Sequence, residues 1–221
     1  MAYSSVVPNS VMRVTAEAAV FVIDDNVDVC DGIKALVESA GLRCESFGSP
    51  TEFLNRDIGR GPHCLILDVR LPDVSGLDFQ KELANSGRAL PTIIITGHGD
   101  IAMSVRAMKI GAVEFLTKPL REQDVLDAVY SALNLHRVQL AAEERLQELR
   151  ARYRTLSGRE REILPLVTGG LLNKQIAAEI GLSEITVKVH RHNLIRKLQA
   201  KSLPDLVRMA DLLRVDDQKV A

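Results

Sequence analysis

The stretch His63-Cys64-Leu65-Ile66-Leu67-Asp68 is a short apolar run closed by a carboxylate, with Gly61-Pro62 before it and Pro72 after it. A run of this length between turn signals makes a strand buried on both faces, the kind found in parallel sheets. Open α/β sheets bind ligands beyond the carboxyl ends of their strands. Asp68 therefore stands where a site forms, although one aspartate there is more often a plain strand-end residue.

Other segments extend the pattern. Val20-Phe21-Val22-Ile23 is a second buried run and ends in Asp24-Asp25. Thr92-Ile93-Ile94-Ile95-Thr96 is released by Gly97, and Val113 to Lys118 makes another strand. Leu42 to Phe47 mixes polar with apolar residues, as an edge strand does. Between them lie helices: Val29, Ile33, Leu36 and Val37 at helical spacing closing at Gly41, then segments near Thr51 to Arg56, Ser75 to Ala84 and Ile101 to Ile110. Strict alternation with one weak edge strand predicts a doubly wound, five-stranded parallel α/β sheet in the order 2-1-3-4-5.

That order gathers the strand ends at one corner. Strand 1 brings Asp24 and Asp25, strand 3 Asp68, strand 4 Thr96 and strand 5 Lys118. Three carboxylates left alone repel, and one would hold a proton. A hard divalent cation relieves this, and Mg²⁺ takes one or two carboxylates with waters and a phosphoryl oxygen. A lysine point charge and a hydroxyl complete a pocket for a tetrahedral dianion. The pocket suits phosphoryl transfer onto a carboxylate, with Asp68 as nucleophile. Neither common Gly-rich phosphate loop occurs, so nucleotide binding is not indicated.

The 221 residues allow one or two domains, and 46% apolar with 26% charged residues is ordinary for a globular protein. No apolar run approaches the ~20 residues of a membrane helix, so no membrane partner is expected. Residues 1–17 lack the pattern of a secretory signal and read as a disordered tail. Cys30, Cys44 and Cys64 have no metal or disulfide spacing, which suits free thiols in a reducing cytoplasm. Charge is uneven: residues 1–142 hold 13 basic against 18 acidic side chains, and residues 143–221 hold 15 against 11. An acidic front and a basic back suggest two domains with different partners, the second a polyanion.

Asp24-Asp25, Asp68, the spacing Asp68-x-x-x-Pro72-x-x-x-Gly76, Thr96-Gly97 and Lys118-Pro119 together resemble the receiver domain of two-component response regulators. The resemblance covers about Val20 to Leu135. It implies Asp68 as phosphoacceptor, Asp25 and Asp68 as Mg²⁺ ligands with the Arg70 backbone carbonyl, and Asp24 acting directly or through water. It also implies that Lys118 grips the phosphoryl oxygen, that Thr96 follows it inward, that Phe115 swings in behind as the switch, and that Lys118-Pro119 is cis.

From Leu120 to Ser157 there is no Gly or Pro, so helix continues past the last receiver segment. Leu146, Leu149, Tyr153 and Leu156 form a narrow stripe, which suits a rigid interdomain linker over 137–155. Ser157-Gly158-Arg159-Glu160 reads as a capping box opening a helix to about Val167, which Pro165 should kink or end. Two more helices follow, Asn173 to Ile180 and, capped by Ser183, Glu184 to about Leu198: a helix-turn-helix.

The last of these carries Lys188, Arg191, Arg196 and Lys197 against a single acid, Glu184. Val187, Leu194 and Leu198 read as its buried stripe, with His190 or Arg191 alongside. Thr186, Lys188, Val189, His192 and Arg196 then face outward, where a helix in the major groove reads base edges and holds phosphate. Arg191 and Lys197 join the candidate DNA contacts.

Leu156-Ser157-x-Arg159-Glu160, Asn173-Lys174-x-Ile176-Ala177, Ser183-x-x-Thr186-Val187-Lys188-x-His190 and Lys197-Leu198 resemble the LuxR/NarL-type C-terminal domain. Ala200-Lys201-Ser202-Leu203-Pro204-x-Leu206-Val207-Arg208 is similar to the FixJ branch. That resemblance implies Lys188, Val189 and His192 as base-reading positions and Leu203 to Leu212 as a dimer surface. The expected architecture is a receiver (18–136), a helical linker (137–155) and an all-α, four-helix DNA-binding domain (156–221).

The expected function is a cytoplasmic transcription regulator. A sensor histidine kinase phosphorylates it, and the phosphorylated homodimer binds double-stranded DNA and works with RNA polymerase. Two other readings stay open on the residues alone: a phosphatase-like hydrolase using Asp68 covalently, and a DNA-binding or interaction module indifferent to phosphorylation.

Overall fold

The computed structural model describes residues 18–86, 88–99 and 101–217; the expected tail, 1–17, lies outside the described residues. The first unit alternates β1 (Ala19–Ile23), α1 (Val27–Ser39), β2 (Arg43–Phe47), α2 (Pro50–Leu54), β3 (His63–Asp68), α3 (Gly76–Asn85), β4 (Thr92–Thr96), α4 (Ile101–Ile110) and β5 (Glu114–Thr117). The five strands are parallel in the order β2-β1-β3-β4-β5. β1, β3 and β4 are buried at every position, whereas β2 at the edge mixes exposed with buried positions, which lets it carry Arg43, Glu45 and Ser46.

Period-2 alternation sends side chains to two cores. Val20, Val22, Cys64, Ile66, Ile93 and Ile95 meet α1 through Ile33 and Val37, and meet α5 (Glu122–Arg154) through Val125, Val129 and Leu133. Phe21, Ile23, Leu65, Leu67 and Ile94 meet α2, α3 and α4 through Phe53, Leu77, Phe79 and Ala107. Helices on both faces are what hides a parallel sheet from water. α5 is further tied to the start of β3, where the backbone N–H of His63 donates to His136 Nδ1 at 2.7 Å.

α5 is one continuous 33-residue helix, and the chain divides into two compact units within it, between Leu140 and Ala141. The second unit holds α6 (Gly158–Thr168), α7 (Asn173–Ile180), α8 (Glu184–Leu198) and α9 (Leu203–Asp217). Its core joins Leu149 and Leu156 to Ile163, Val167, Ile176, Val187, Leu194, Leu198 and Leu206, with Tyr153 packed against it. The stripe Leu149, Tyr153, Leu156 thus packs on the second unit.

Pro165 does not end its helix. α6 runs on to Thr168, where Gly169 N–H still reaches the Pro165 carbonyl at 2.9 Å. Arg161, whose carbonyl loses its partner to the proline, is exposed like Pro165 itself. The unmet carbonyl therefore lies on a solvent-facing side, where water serves in place of the missing N–H.

Two glycines give opposite expectations. A Cβ on Gly76, the first residue of α3, would collide with the backbone carbonyl oxygen of Asp68, while one on Gly32 in α1 meets nothing within 4 Å. Gly76→Ala is expected to cost about 1–3 kcal/mol, as overpacking against backbone does. Gly32→Ala is expected to gain about 0.5–1 kcal/mol, the helix-interior penalty of glycine relieved. Urea unfolding of both variants checks this; a stable Gly76→Ala protein would contradict the close packing of α3 on the end of β3.

Candidate functional site

Register places the polar groups. Ile23 pairs with Leu67, so Asp24 and Asp68 follow as neighbours at the ends of β1 and β3. Asp68 pairs with Ile95 and Thr96 pairs with Thr117, so Thr96 and then Lys118 come next along the same edge. The Lys118 N–H donates to the Thr96 carbonyl at 2.8 Å, and the Lys118–Pro119 peptide is cis.

The side chains converge as the strand order requires. Carboxylate oxygens of Asp24, Asp25 and Asp68 all lie within 4.8 Å of one another. Lys118 Nζ donates to Asp24 Oδ2 at 2.7 Å and sits 3.5 Å from Asp68 Oδ2. Asp24 is buried, and its Oδ1 accepts the Asn26 N–H at 3.0 Å. Asn26 in turn caps α1 by accepting from the N–H groups of Asp28 and Val29. That link between the acidic corner and the cap of α1 escaped the sequence analysis, although an Asn one residue before a helical pattern signals such a cap.

Burial raises the Asp68 carboxyl above the usual carboxylate range, and the Asp24 charge adds to this against the pull of Lys118 and of the Arg70 backbone. Burial works against the Lys118 ammonium, but the hydrogen bond and charge of Asp24, with Asp68, outweigh it and hold its pKa above the ordinary lysine value. Asp68 Oδ1 is buried without a hydrogen-bond partner. A buried carboxylate oxygen left in that condition is costly. A hard, oxygen-seeking divalent ion satisfies it, and three clustered carboxylates are a donor set that fits Mg²⁺. Asp25 is exposed and Arg70 forms an isolated bridge with Ser75 just past Asp68, so both stand at the rim of this corner.

Thr96 is fully buried, and its hydroxyl exchanges two long hydrogen bonds with the His98 backbone, 3.4 Å as donor and 3.3 Å as acceptor. Phe115 is half-buried against the core beneath α3 and α4.

In the second unit Ser157 and Glu160 close a reciprocal capping box at the start of α6. α8 buries Val187, Leu194 and Leu198 and exposes Lys188, Val189, His192 and Arg196. Three further expected DNA contacts make hydrogen bonds within the domain. Lys197 donates to buried Glu160 at 2.7 Å and to the Thr155 carbonyl at 3.1 Å. Burial disfavours the Glu160 charge, but Lys197 and the Ser157 hydrogen bonds outweigh it and lower its pKa. Arg191 is half-buried and donates to Asn173 Oδ1 at 3.0 Å, and the half-buried Thr186 shares its hydroxyl with Ser183 at 2.8 Å. Lys197 is thus part of the domain's own frame. Charge on a helix signals a cation, while its destination depends on a partner far away in sequence.

Comparison with known proteins completes these observations. A response regulator receiver domain model matches residues 20–130, and a model for bacterial regulatory proteins of the luxR family matches residues 154–210. The chain is 48% identical to the response regulator protein TmoT of Ectopseudomonas mendocina, over 90% of each chain. It is 41% identical to the transcriptional regulatory protein FixJ of Azorhizobium caulinodans, over 89% of this chain and 93% of that protein. The structure of response regulator StyR superposes with a TM-score of 0.76 at 44% identity, covering 88% of this chain and 98% of that one. Among the described residues no helix is long and apolar enough to cross a membrane.

Because the folded Asp68 carboxyl holds its proton more tightly than an unfolded one, folding takes up a proton there, and stability falls as pH rises through the carboxylate range. Asp68→Asn removes that penalty. Urea unfolding without divalent cations should show the variant more stable than the native protein, by more at pH ~7 than near pH ~4, because the raised carboxyl carries less charge at the lower pH. An equal difference at both values would mean that burial of the charge is not what strains the corner.

Proposed function

The chain belongs to the response regulators, in the FixJ branch that joins a receiver domain to a luxR-type DNA-binding domain, and we propose from that premise how its residues divide the work. The protein is a transcription regulator governed by phosphorylation. In our reading the receiver spans 18–136, a helical linker 137–155 and the DNA-binding domain 156–221. The convergence of Asp24, Asp25, Asp68 and Lys118 carries the proposal.

Asp68 is the phosphoacceptor. One of its carboxylate oxygens forms a bond to phosphorus as the phosphorus–nitrogen bond of a kinase phosphohistidine breaks, and the departing imidazole keeps the electron pair and takes a proton. Asp25, Asp68 and the Arg70 carbonyl would hold Mg²⁺, with Asp24 in support, and the ion would offset the charge that gathers on the phosphoryl oxygens. Lys118 is already held at the corner by Asp24 and turns its remaining donors to the phosphoryl group. Self-phosphorylation and slow hydrolysis of the acyl phosphate by water are the only chemistry assigned to the protein.

The Thr96 hydroxyl has long bonds to give up, so a phosphoryl oxygen competes well for it, and Phe115 follows into the space behind. The added charge thereby alters the face around α4 and β5 and favours a homodimer. Two copies of α8 then enter successive major grooves of a two-fold site, with Lys188, Val189 and His192 on base edges and Arg196 on phosphate. α9 supplies dimer contacts on DNA, and RNA polymerase is the further partner. The compartment is the cytoplasm.

Asp68→Asn should take up no phosphoryl group from a small phosphodonor with Mg²⁺, as read by phosphate-affinity gel; uptake at the native level would remove Asp68 from its role. Lys188→Ala should lower the preference for the selected site over random DNA by ~1–3 kcal/mol while changing random binding little. Equal losses on both DNAs would reduce Lys188 to a phosphate contact.

A further inference from the structure

The exposed side of α8 is not centred where its polar residues suggest. At about 100° per residue, Ile185, Lys188, Val189, His192 and Arg196 fall within about 100° of arc, and the buried stripe Val187, Leu194, Leu198 lies opposite. Ile185 occupies the middle of that arc, whereas Thr186 lies on its flank. Ile185 is 78% exposed and Val189, one turn further on, is 54% exposed.

Two branched apolar side chains in line at the N-terminal half of a helix are costly to leave in water, and they are flanked by cations. A membrane or protein partner would be served by apolar neighbours, but those around this pair are the cations Lys188 and Arg196 and the polar His192. Cations beside a small apolar patch match a major groove, where phosphates border the C5 methyl groups of thymine. Helix N-terminal residues are also the ones that reach base edges.

We infer that Ile185 is a base-reading residue, which with Val189 forms an apolar clamp on thymine methyl groups and requires thymine at adjoining positions of each half-site. The inference rests on the assignment of α8 as the recognition helix. Lys188, between the two in sequence, then contacts the base beside them.

The test uses the full-length, phosphorylated chain. A site is selected from random duplex DNA, and each thymine is replaced in turn by deoxyuridine, which lacks only the methyl group. Replacement at one or two half-site positions should weaken native binding about fourfold each, the factor that burial of one methyl-sized group corresponds to. Ile185→Ala should lose sensitivity at one of those positions and keep it at the Val189 position, with helix content unchanged by circular dichroism. Native binding indifferent to every deoxyuridine, a selected site without thymine, or undiminished sensitivity in Ile185→Ala each overturns the inference while leaving the recognition helix standing. Absence of any sequence preference in the native protein overturns both.

Discussion

The attraction between Lys118 and Asp24 is what ties the acidic corner of the sheet together. Three carboxylates delivered by β1 and β3 to one corner would drive those strand ends apart or force a proton onto one of them. The ammonium just past β5, with two strands between it and β1, reaches across and spans 2.7 Å to one acid and 3.5 Å to another. It does so only because the strand order is β2-β1-β3-β4-β5, which puts the end of β5 on the same rim. The sheet is thus more than a scaffold: its topology selects which charges meet. What remains uncompensated, the buried Asp68 oxygen, is where new chemistry is drawn in.

Much of this was legible beforehand, for identifiable reasons. β1, β3 and β4 are buried on both faces, so their apolar runs could belong to nothing but interior strands, and the residue ending each run had to lie on one rim. Asp24, Asp25, Asp68 and Thr96 followed from that, and Lys118 from the alternation that sets β5 beside β4. The capping box at Ser157 and Glu160 was equally plain, because both partners are local. Contacts between distant segments were less accessible. Nothing in the sequence near Lys197 points to Glu160, and nothing near Arg191 points to Asn173, so neither hydrogen bond is legible without the fold. Ile185 was passed over for the opposite reason: attention to polar side chains neglects an apolar residue that the wheel of α8 leaves facing water. Pro165 shows a third limit, since proline's missing N–H matters only if the orphaned carbonyl is buried.

The second unit solves a different electrostatic problem. A reading helix must offer positive charge to a polyanion while being held firmly enough to discriminate between bases. α8 separates the two demands by position. Its outer arc carries Lys188, His192 and Arg196, while its flanks spend Arg191 and Lys197 on neighbouring helices. The Lys197–Glu160 pair is largely shielded from solvent on the glutamate side, so it is screened less than the outer charges are.

Shielding of that pair has a consequence for how binding responds to ionic strength. Each cation laid against a phosphate displaces condensed counterions from the duplex and steepens the fall of affinity with added salt, whereas a cation already neutralised inside the protein displaces none. Lys197, paired with Glu160, belongs to the second kind. The helix is therefore a weaker polyelectrolyte ligand than its composition suggests, and a larger share of its grip comes from contacts that concentrated electrolyte leaves intact.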